Sequence, residues 1–362
     1  MSNKKIRVAV LFGGVSSEHE ISLMSAESVL RHIPRDKYEV VRVGITKDGR
    51  WLAYEGADDA IASGLWEQDR SLCSIIVSPD RTRKGLLKLE GKQWEFVPVD
   101  ICFPVLHGKN GEDGTVQGLF QLAGIPFVGC DMISSANCMD KEMTHTILEA
   151  NGIPMAKWTV VRPGDLGDDA AFAAFAQKAE EKLGYPMFVK PANAGSSVGV
   201  SKAKDREGLR QACLTALAQD RKAIVEEFID GLEVETAVLG NRDAQAAPVC
   251  GELVPASEFY TYEAKYIDGT TQLHIPARIP QEVVENLRAT AAKAFAAIGC
   301  QGYSRCDFFV LRRDNSIILN EINTIPGFTS ISMYPMLWDA SGVPYPELLD
   351  RLIQLGLERG RV

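Results

Sequence analysis

Tyr303–Asn323 reads YSRCDFFVLRRDNSIILNEIN, two β-rich runs on either side of the polar pair Asp314-Asn315, and its reading decides how the C-terminal part of the chain folds. Turn residues between two apolar runs predict a hairpin. Reflecting the sequence about that turn brings Asp307 within about one residue of Glu321 on the facing strand. Glu321 and Asn323 stand at i and i+2 of one strand and so share a face. Three oxygen donors then converge without sulfur or imidazole, a set that suits Mg²⁺ with coordination positions left open for substrate phosphates. The plainer alternative is a solvated strand face on which Arg305 simply pairs Asp307. Directly after the strand, NTIPGFTS (323–330) is a polar, glycine-containing turn able to present backbone N–H groups to an anion.

Toward the N-terminus the pattern changes. Ile6 to Phe12, Leu23 to Leu30, Glu39 to Ile45, Ile101 to Leu106 and a helical stretch from Thr115 to Leu122 alternate β-rich runs with helical periodicity, which predicts a parallel α/β sheet. Gly13-Gly14 follow the first strand and Ser16 or Ser17 is placed to cap the next helix, so a ligand crevice is expected at the strand's carboxyl end. Glu18, His19 and Glu20 give it an acidic wall fit for an ammonium group, although a helix's first turn also favours glutamate through the dipole. From Met139-Asp140-Lys141 a second unit follows, with helices over 168–183 and 205–218 and strands Met187 to Lys190 and Ala223 to Phe228. After Val234 come longer strands, the irregular segment Pro255 to Thr271, a helix near 281–298, the hairpin, and a last helix over 345–357. The expected domains are 1–138, 139–233 and 234–362.

The 362 residues suit two to three domains, and 46% hydrophobic with 24% charged residues is ordinary for a water-soluble protein. A net charge of -9 gives no general attraction to nucleic acid or to an anionic membrane, so neither is an expected partner and an anionic ligand needs a local basic site. No apolar run approaches the roughly 18 residues of a membrane span, and MSNKKIRVAVLFGGV lacks a signal-peptide pattern; a cytoplasmic location is expected. Cys73, Cys102, Cys130, Cys138, Cys213, Cys250, Cys300 and Cys306 never form CxxC and read as buried thiols, while the five histidines form no HExxH.

Three further segments supply local chemistry. Phe188–Gly199 (FVKPANAGSSVG) carries Lys190 into a loop of small residues, where backbone amides and an ammonium group can meet phosphate; it is not a GxxxxGK[ST] loop, and a plain β-turn-β hairpin is the alternative. Val225–Glu233 (VEEFIDGLE) can accept from an adenine amino group and ribose hydroxyls, or be surface carboxylates. His107–Gly114 (HGKNGEDG) concentrates glycines and polar groups at the end of a hydrophobic strand, which reads as a ligand loop or as a long connection into a helix at Gly114-Thr115.

Taken in chain order, LFGGVSSEHEISL, FPVLHGKNGEDGTVQGLFQLAGIPFVG, MDK, FVKPANAGSSVGV, VEEFIDGLE, FYTYEAKY, SRCDFF and NEINTIPGFTS resemble the D-alanine:D-alanine ligase family of the ATP-grasp superfamily over nearly the whole chain. The resemblance implies an α/β, three-domain ATP-grasp architecture: an N-terminal open parallel α/β domain and two α+β domains enclosing ATP. It implies ATP-dependent ligation of two D-alanine molecules through D-alanyl phosphate for peptidoglycan precursor synthesis, and a homodimer. Carried over residue by residue, Lys141, Lys190 and Lys265 contact ATP phosphates, and Glu226, Glu227, Ile229 and Glu233 hold adenine and ribose. Asp307, Glu321 and Asn323 bind two Mg²⁺ ions, with Mn²⁺ as an alternative. Glu18 holds the first ammonium group with help from His107. Ser196, Tyr266, Lys265, Ser332 and Met333 belong around the two substrates, and Arg305 and the Gly327 amide face the oxyanion. Pro255 to Thr271 is the expected lid.

Relatives often carry a charged residue where this chain has Ala194, and the insert over about 51–93 holds no catalytic motif. Tyr266 fits the alanine-using pattern, with D-serine the next second substrate. Another ATP-grasp carboxylate–amine ligase would share the phosphate and metal residues but not the Glu18, Ser196, Tyr266 set. A nucleotide-binding regulator would tolerate loss of a metal ligand.

Overall fold

Ile6–Gly13 is apolar along almost its whole length and buried from Val8 onward, a pattern stable only where both faces of a strand are covered. In the computed structural model, which describes residues 4–195, 198–254 and 271–360, this segment is strand β1, parallel to β2 (Tyr38–Ile45) and to β7 (Ile101–Pro104). Between β2 and β7 the chain adds β3 (Trp51–Tyr54), β4 (Cys73–Val77), β5 (Gly85–Glu90) and β6 (Gln93–Pro98), each antiparallel to its predecessor. The seven-stranded order is β6-β5-β4-β3-β2-β1-β7. The expected parallel sheet is therefore the three-strand core β2-β1-β7, and the insert near 51–93 forms an antiparallel wing. A connection as short as Gly91-Lys92 can join only antiparallel neighbours. Helix His19–His32 packs on this sheet through Ala26, Val29 and Leu30, and the Ser16 hydroxyl accepts the Glu18 N–H at its start (3.1 Å).

The second sheet is antiparallel, in the order β10 (Ser201–Ala203), β9 (Met187–Pro191), β11 (Ala223–Glu227), β8 (Trp158–Val161). Helices Asp169–Leu183 and Arg206–Leu217 each begin at an aspartate, Asp168 and Asp205, whose carboxylate accepts an N–H of the first turn at 2.8 Å. Phe172, Ala176, Val189, Leu209 and Val225 close a core separate from the rest.

The third sheet runs β15 (Gln272–His274), β14 (Gly251–Val254), β12 (Gly231–Gly240), β16 (Gly302–Leu311), β17 (Ile317–Asn323), with β13 (Gln245–Ala246) also on β12. Helix Gln281–Ile298 buries Val284, Leu287, Ala291 and Phe295 against it. The last helix, Tyr345–Arg359, returns to the first sheet: Tyr38 donates to Asp350 at 2.5 Å, Arg359 donates to the Phe127 carbonyl at 2.7 Å, and Leu349 and Ile353 join Val10 and Phe103 in one core. The first and third sheets thus share packing that the second does not. Six cysteines are buried and Cys73 and Cys138 are partly so. Among the described residues no helix is long and apolar enough to cross a membrane.

Candidate active site

Val310, Phe309 and Phe308 pair with Ile317, Ile318 and Leu319 across the hairpin. The register then shifts, and Asp307, Cys306 and Arg305 pair with Glu321, Ile322 and Asn323. Asn320 is the extra residue of this bulge, so Asn320 and Glu321, which strict alternation would send to opposite faces, both line one cleft of about 940 Å³. Asn323 donates from Nδ2 to Asp307 at 3.0 Å, and Arg305 grips both oxygens of Asp307 at 2.7 Å while reaching Glu235 at 3.0 Å. Arg305 does pair Asp307, as the plainer reading has it, yet this face walls the cleft. Burial works against the guanidinium charge, but Asp307 and Glu235 outweigh it and hold Arg305 protonated. Among the described residues no three His, Cys, Asp or Glu side chains form a metal-binding group by themselves. A cation here would draw on the two carboxylates, the Asn323 amide and oxygens of a ligand, a donor set that fits a hard divalent ion at a phosphate site.

The facing wall comes from the second sheet. Lys190 on β9 and Glu226 on β11 are diagonal neighbours on one face, with Lys190 Nζ 2.6 Å from Glu226 Oε2 and 3.2 Å from Asn320 Oδ1. His145 Nε2 lies 2.8 Å from the other Glu226 oxygen. Burial pushes the Glu226 carboxyl up, but the charge of Lys190 and the bonds from His145 and Lys190 hold it well below the ordinary range. For Lys190 burial acts downward and Glu226 more than offsets it, leaving the ammonium above its usual value.

Lys141 donates to the Ala194 carbonyl at 2.8 Å, at the start of helix Lys141–Ala150, where the Asp140 carboxylate caps the first turn and holds Lys222 at 2.8 Å. Burial pulls Lys141 below its ordinary value against the charge of Glu321. Two half-buried lysines in one cleft are a strong site for a polyanion, since Coulomb attraction is less attenuated there than in open water. Ile229 and Glu233 border the same cleft. Glu227 borders it too, but its carboxylate accepts the Lys157 N–H at 2.8 Å.

At the other end Glu18 lies against both glycine loops: a Cβ on Gly108 would stand 2.6 Å, and one on Gly195 3.0 Å, from Glu18 Oε2. A side chain at either position would press on this carboxylate, and Gly108 also has a positive φ of 70°. Buried His107 contacts Ser25 Oγ through Nε2 (3.0 Å) and the Ile325 carbonyl through Nδ1 (3.1 Å). Burial lowers its affinity for a proton, but Glu112 and Glu18 reverse the sign and raise it above the ordinary histidine value. Ser25 Oγ also accepts the Phe328 N–H at 3.3 Å, so Gly327 is tied on both sides. Ser332 Oγ accepts the Thr329 N–H at 3.0 Å and closes the following turn. Met333 is not in the cleft wall: it is buried in the core, where a Cβ on Gly251 would stand 2.2 Å from its sulfur. An apolar side chain at the start of helix Met333–Ala340 gains more from that burial than from a polar cleft. Ser196, Lys265 and Tyr266, and the expected lid apart from Thr271, lie outside the described residues.

Residues 7–130 match the family model described as D-ala D-ala ligase N-terminus, and residues 147–354 match D-ala D-ala ligase C-terminus. The chain belongs to the D-alanine–D-alanine ligase family. The D-alanine–D-alanine ligase of Acetivibrio thermocellus is 51% identical, covering 99% of this chain and 97% of that protein. That of Caldicellulosiruptor bescii is 49% identical, covering 99% and 96%. Among solved structures, the VanG D-Ala:D-Ser ligase from Enterococcus faecalis aligns with a TM-score of 0.88 at 40% identity over 98% of this chain and 100% of that one. The D-alanine–D-alanine ligase from Coxiella burnetii aligns with a TM-score of 0.85 at 34% identity over 99% and 96%. The three sheets are accordingly those of an α/β ATP-grasp ligase, an ATP-dependent family that uses a divalent metal ion.

Within this cleft stand residues that sequence reasoning did not single out. Ser25 follows Glu18 by seven residues, two helical turns, and so shares its face. His145 lies one turn after Lys141 on the same helix. Both had a periodic signal available; the contact of His145 with Glu226 did not, because it depends on how a helix docks on a distant sheet.

Proposed function

We propose that this chain joins two D-alanine molecules at the expense of ATP, through D-alanyl phosphate. The observation that carries the reading is that one cleft unites an ammonium-binding end, Glu18 between the two glycine loops, with a phosphate-binding end, Lys141 and Lys190 opposite Asp307 and Glu321. Supporting D-alanine over D-serine, curated relatives at about half identity are named D-alanine–D-alanine ligases.

In this reading Glu18, with His107 beside it, orients the first D-alanine so that its carboxylate attacks the γ-phosphorus of ATP and ADP leaves. Lys141, Lys190 and Lys265 neutralise the phosphates, and Glu226, Glu227, the Ile229 backbone and Glu233 hold adenine and ribose. Asp307, Glu321 and Asn323 would hold two Mg²⁺ ions, or Mn²⁺, which supply charge neutralisation to the transferring phosphoryl group. The amine of the second D-alanine then attacks the acyl carbon, and Arg305 with the Gly327 N–H stabilises the oxyanion before phosphate departs. Ser196, Tyr266 and Ser332 complete the network around the substrates. We assign the N-terminal substrate domain to 1–138, the central domain to 139–233 and the C-terminal catalytic domain to 234–362, and expect a cytoplasmic homodimer.

Phosphate release from ATP, measured with D-alanine, D-serine and D-lactate as second substrates and with product identification, tests the reading. D-Alanyl-D-alanine should dominate; a preference for either other acceptor would overturn the substrate assignment.

A further inference from the structure

Both oxygens of the cleft carboxylate Glu226 are held: Lys190 holds one at 2.6 Å and His145 the other at 2.8 Å. Its side chain is 6% exposed, and a carboxylate so placed stays ionised and in one orientation only while cations or N–H donors hold it. The two partners are not equivalent. Lys190 Nζ also contacts Asn320, the neighbour of Glu321, so it stands between the base end and the phosphate end of the cleft. A phosphate group arriving there competes with Glu226 for it. His145 has no such second role. It sits on helix Lys141–Ala150, 2% exposed, with its ring edge-on to Trp158 at 5.4 Å, and Nδ1 has no hydrogen-bond partner among the described residues. Because the carboxylate only accepts, Nε2 carries the hydrogen of the shared bond.

We propose that His145 keeps Glu226 ionised and aimed at the base when Lys190 turns to the nucleotide phosphates, which makes it a positioning residue for the choice of adenine over guanine nucleotides. The inference rests on the reading above, in which Glu226 accepts from the adenine amino group. An ionised acceptor suits that amino donor and repels the carbonyl oxygen that guanine places at the same position. Discrimination against a base lacking the donor is strong only where the acceptor is fixed and desolvated.

The test is steady-state kinetics on the full chain with ATP and GTP. H145L should raise KM for ATP about tenfold or more and narrow the ATP-over-GTP preference, with kcat at saturating ATP little changed. H145Q retains an N–H donor of similar reach and should restore most of both. If H145L does not fold, H145N, whose shorter amide cannot span to Glu226, should show the same loss. E226Q separates the two levels. If E226Q collapses the nucleotide preference while H145L and H145N leave it and KM intact, His145 is only a packing residue and the proposal is overturned. If E226Q itself leaves the preference intact, Glu226 does not read the base, and that assignment falls together with the role given to His145.

Discussion

Asp307 on β16 faces Glu321 on β17 only because Asn320 bulges out of the hairpin. Without that extra residue Asp307 would face Asn320, and the Glu321 side chain would turn to the opposite side of the sheet, where Ile317, Leu319 and Ile322 are buried. The bulge thus sets the spacing of the proposed metal ligands and also presents Asn320 to Lys190 on the other wall of the cleft.

Glu321→Gln keeps this shape and removes one charge. Ligation should fall by orders of magnitude at ordinary Mg²⁺ concentration, with the melting temperature little changed, because the residue is a half-exposed cleft lining and not core. Activity assays across a magnesium titration check it; near-normal turnover would remove Glu321 from the metal set.

The pairing of the hairpin was more legible in the sequence than its bulge. Reflection about Asp314-Asn315 came within one residue of the observed pairing, and Asn315 does take the left-handed conformation that asparagine tolerates (φ 58°). The bulge left a trace as well, since Asn320-Glu321 interrupts the alternation of Ile317, Leu319 and Ile322. The parallel core was read correctly from apolar runs, whereas the antiparallel wing was not, because short strands in a polar insert carry little periodic signal. Met333, expected around the substrates, is buried instead in the core, because the helix that begins there directs it inward toward Gly251.

Met333→Leu tests that placement. A volume-conserving exchange in the core should cost less than about 1.5 kcal/mol and leave KM for D-alanine within about twofold. Gly251→Ala, which puts a methyl group into the space of the Met333 sulfur, should cost about 1–3 kcal/mol. Chemical denaturation gives both stabilities, and a large change in KM for the Met333 variant would return the side chain to the substrate site.

Glu252, 1% exposed, accepts from Arg278 Nε at 2.9 Å and Nη2 at 2.7 Å. These bonds hold its carboxyl below the ordinary 4.5 although burial acts the other way. A depressed folded-state value contributes stability that is complete above about pH 4.5 and is lost as pH falls through the lower folded value. Arg278→Ala should therefore melt several degrees below the parent at pH 7, and the gap should close as both proteins are taken into acid below pH 4.5. Melting curves against pH decide it; a gap independent of pH would mean that Arg278 acts through packing alone.

Ser25 supplies the last prediction. Its Oγ accepts the Phe328 N–H and is hydrogen-bonded to His107 Nε2, while His107 Nδ1 donates to the Ile325 carbonyl. One serine therefore ties the loop directly after Gly327 and, through His107, two residues before it. Ser25→Ala leaves a buried N–H and a ring nitrogen without partners, at a cost of about 1–3 kcal/mol. The larger effect should be on chemistry. Complete loss of an oxyanion donor costs roughly 10²–10³ in rate, so a loosened Gly327 amide should lower kcat by about 10–100-fold. KM for ATP should stay within about twofold, because the proposed nucleotide contacts Lys141, Lys190, Glu226 and Glu233 lie on elements other than this loop. Steady-state kinetics with a melting curve separates the two effects. A kcat near the parent value in a destabilised but folded variant would show that the serine only supports the fold, and a parallel rise in KM for ATP would show that the loop and the nucleotide wall move together.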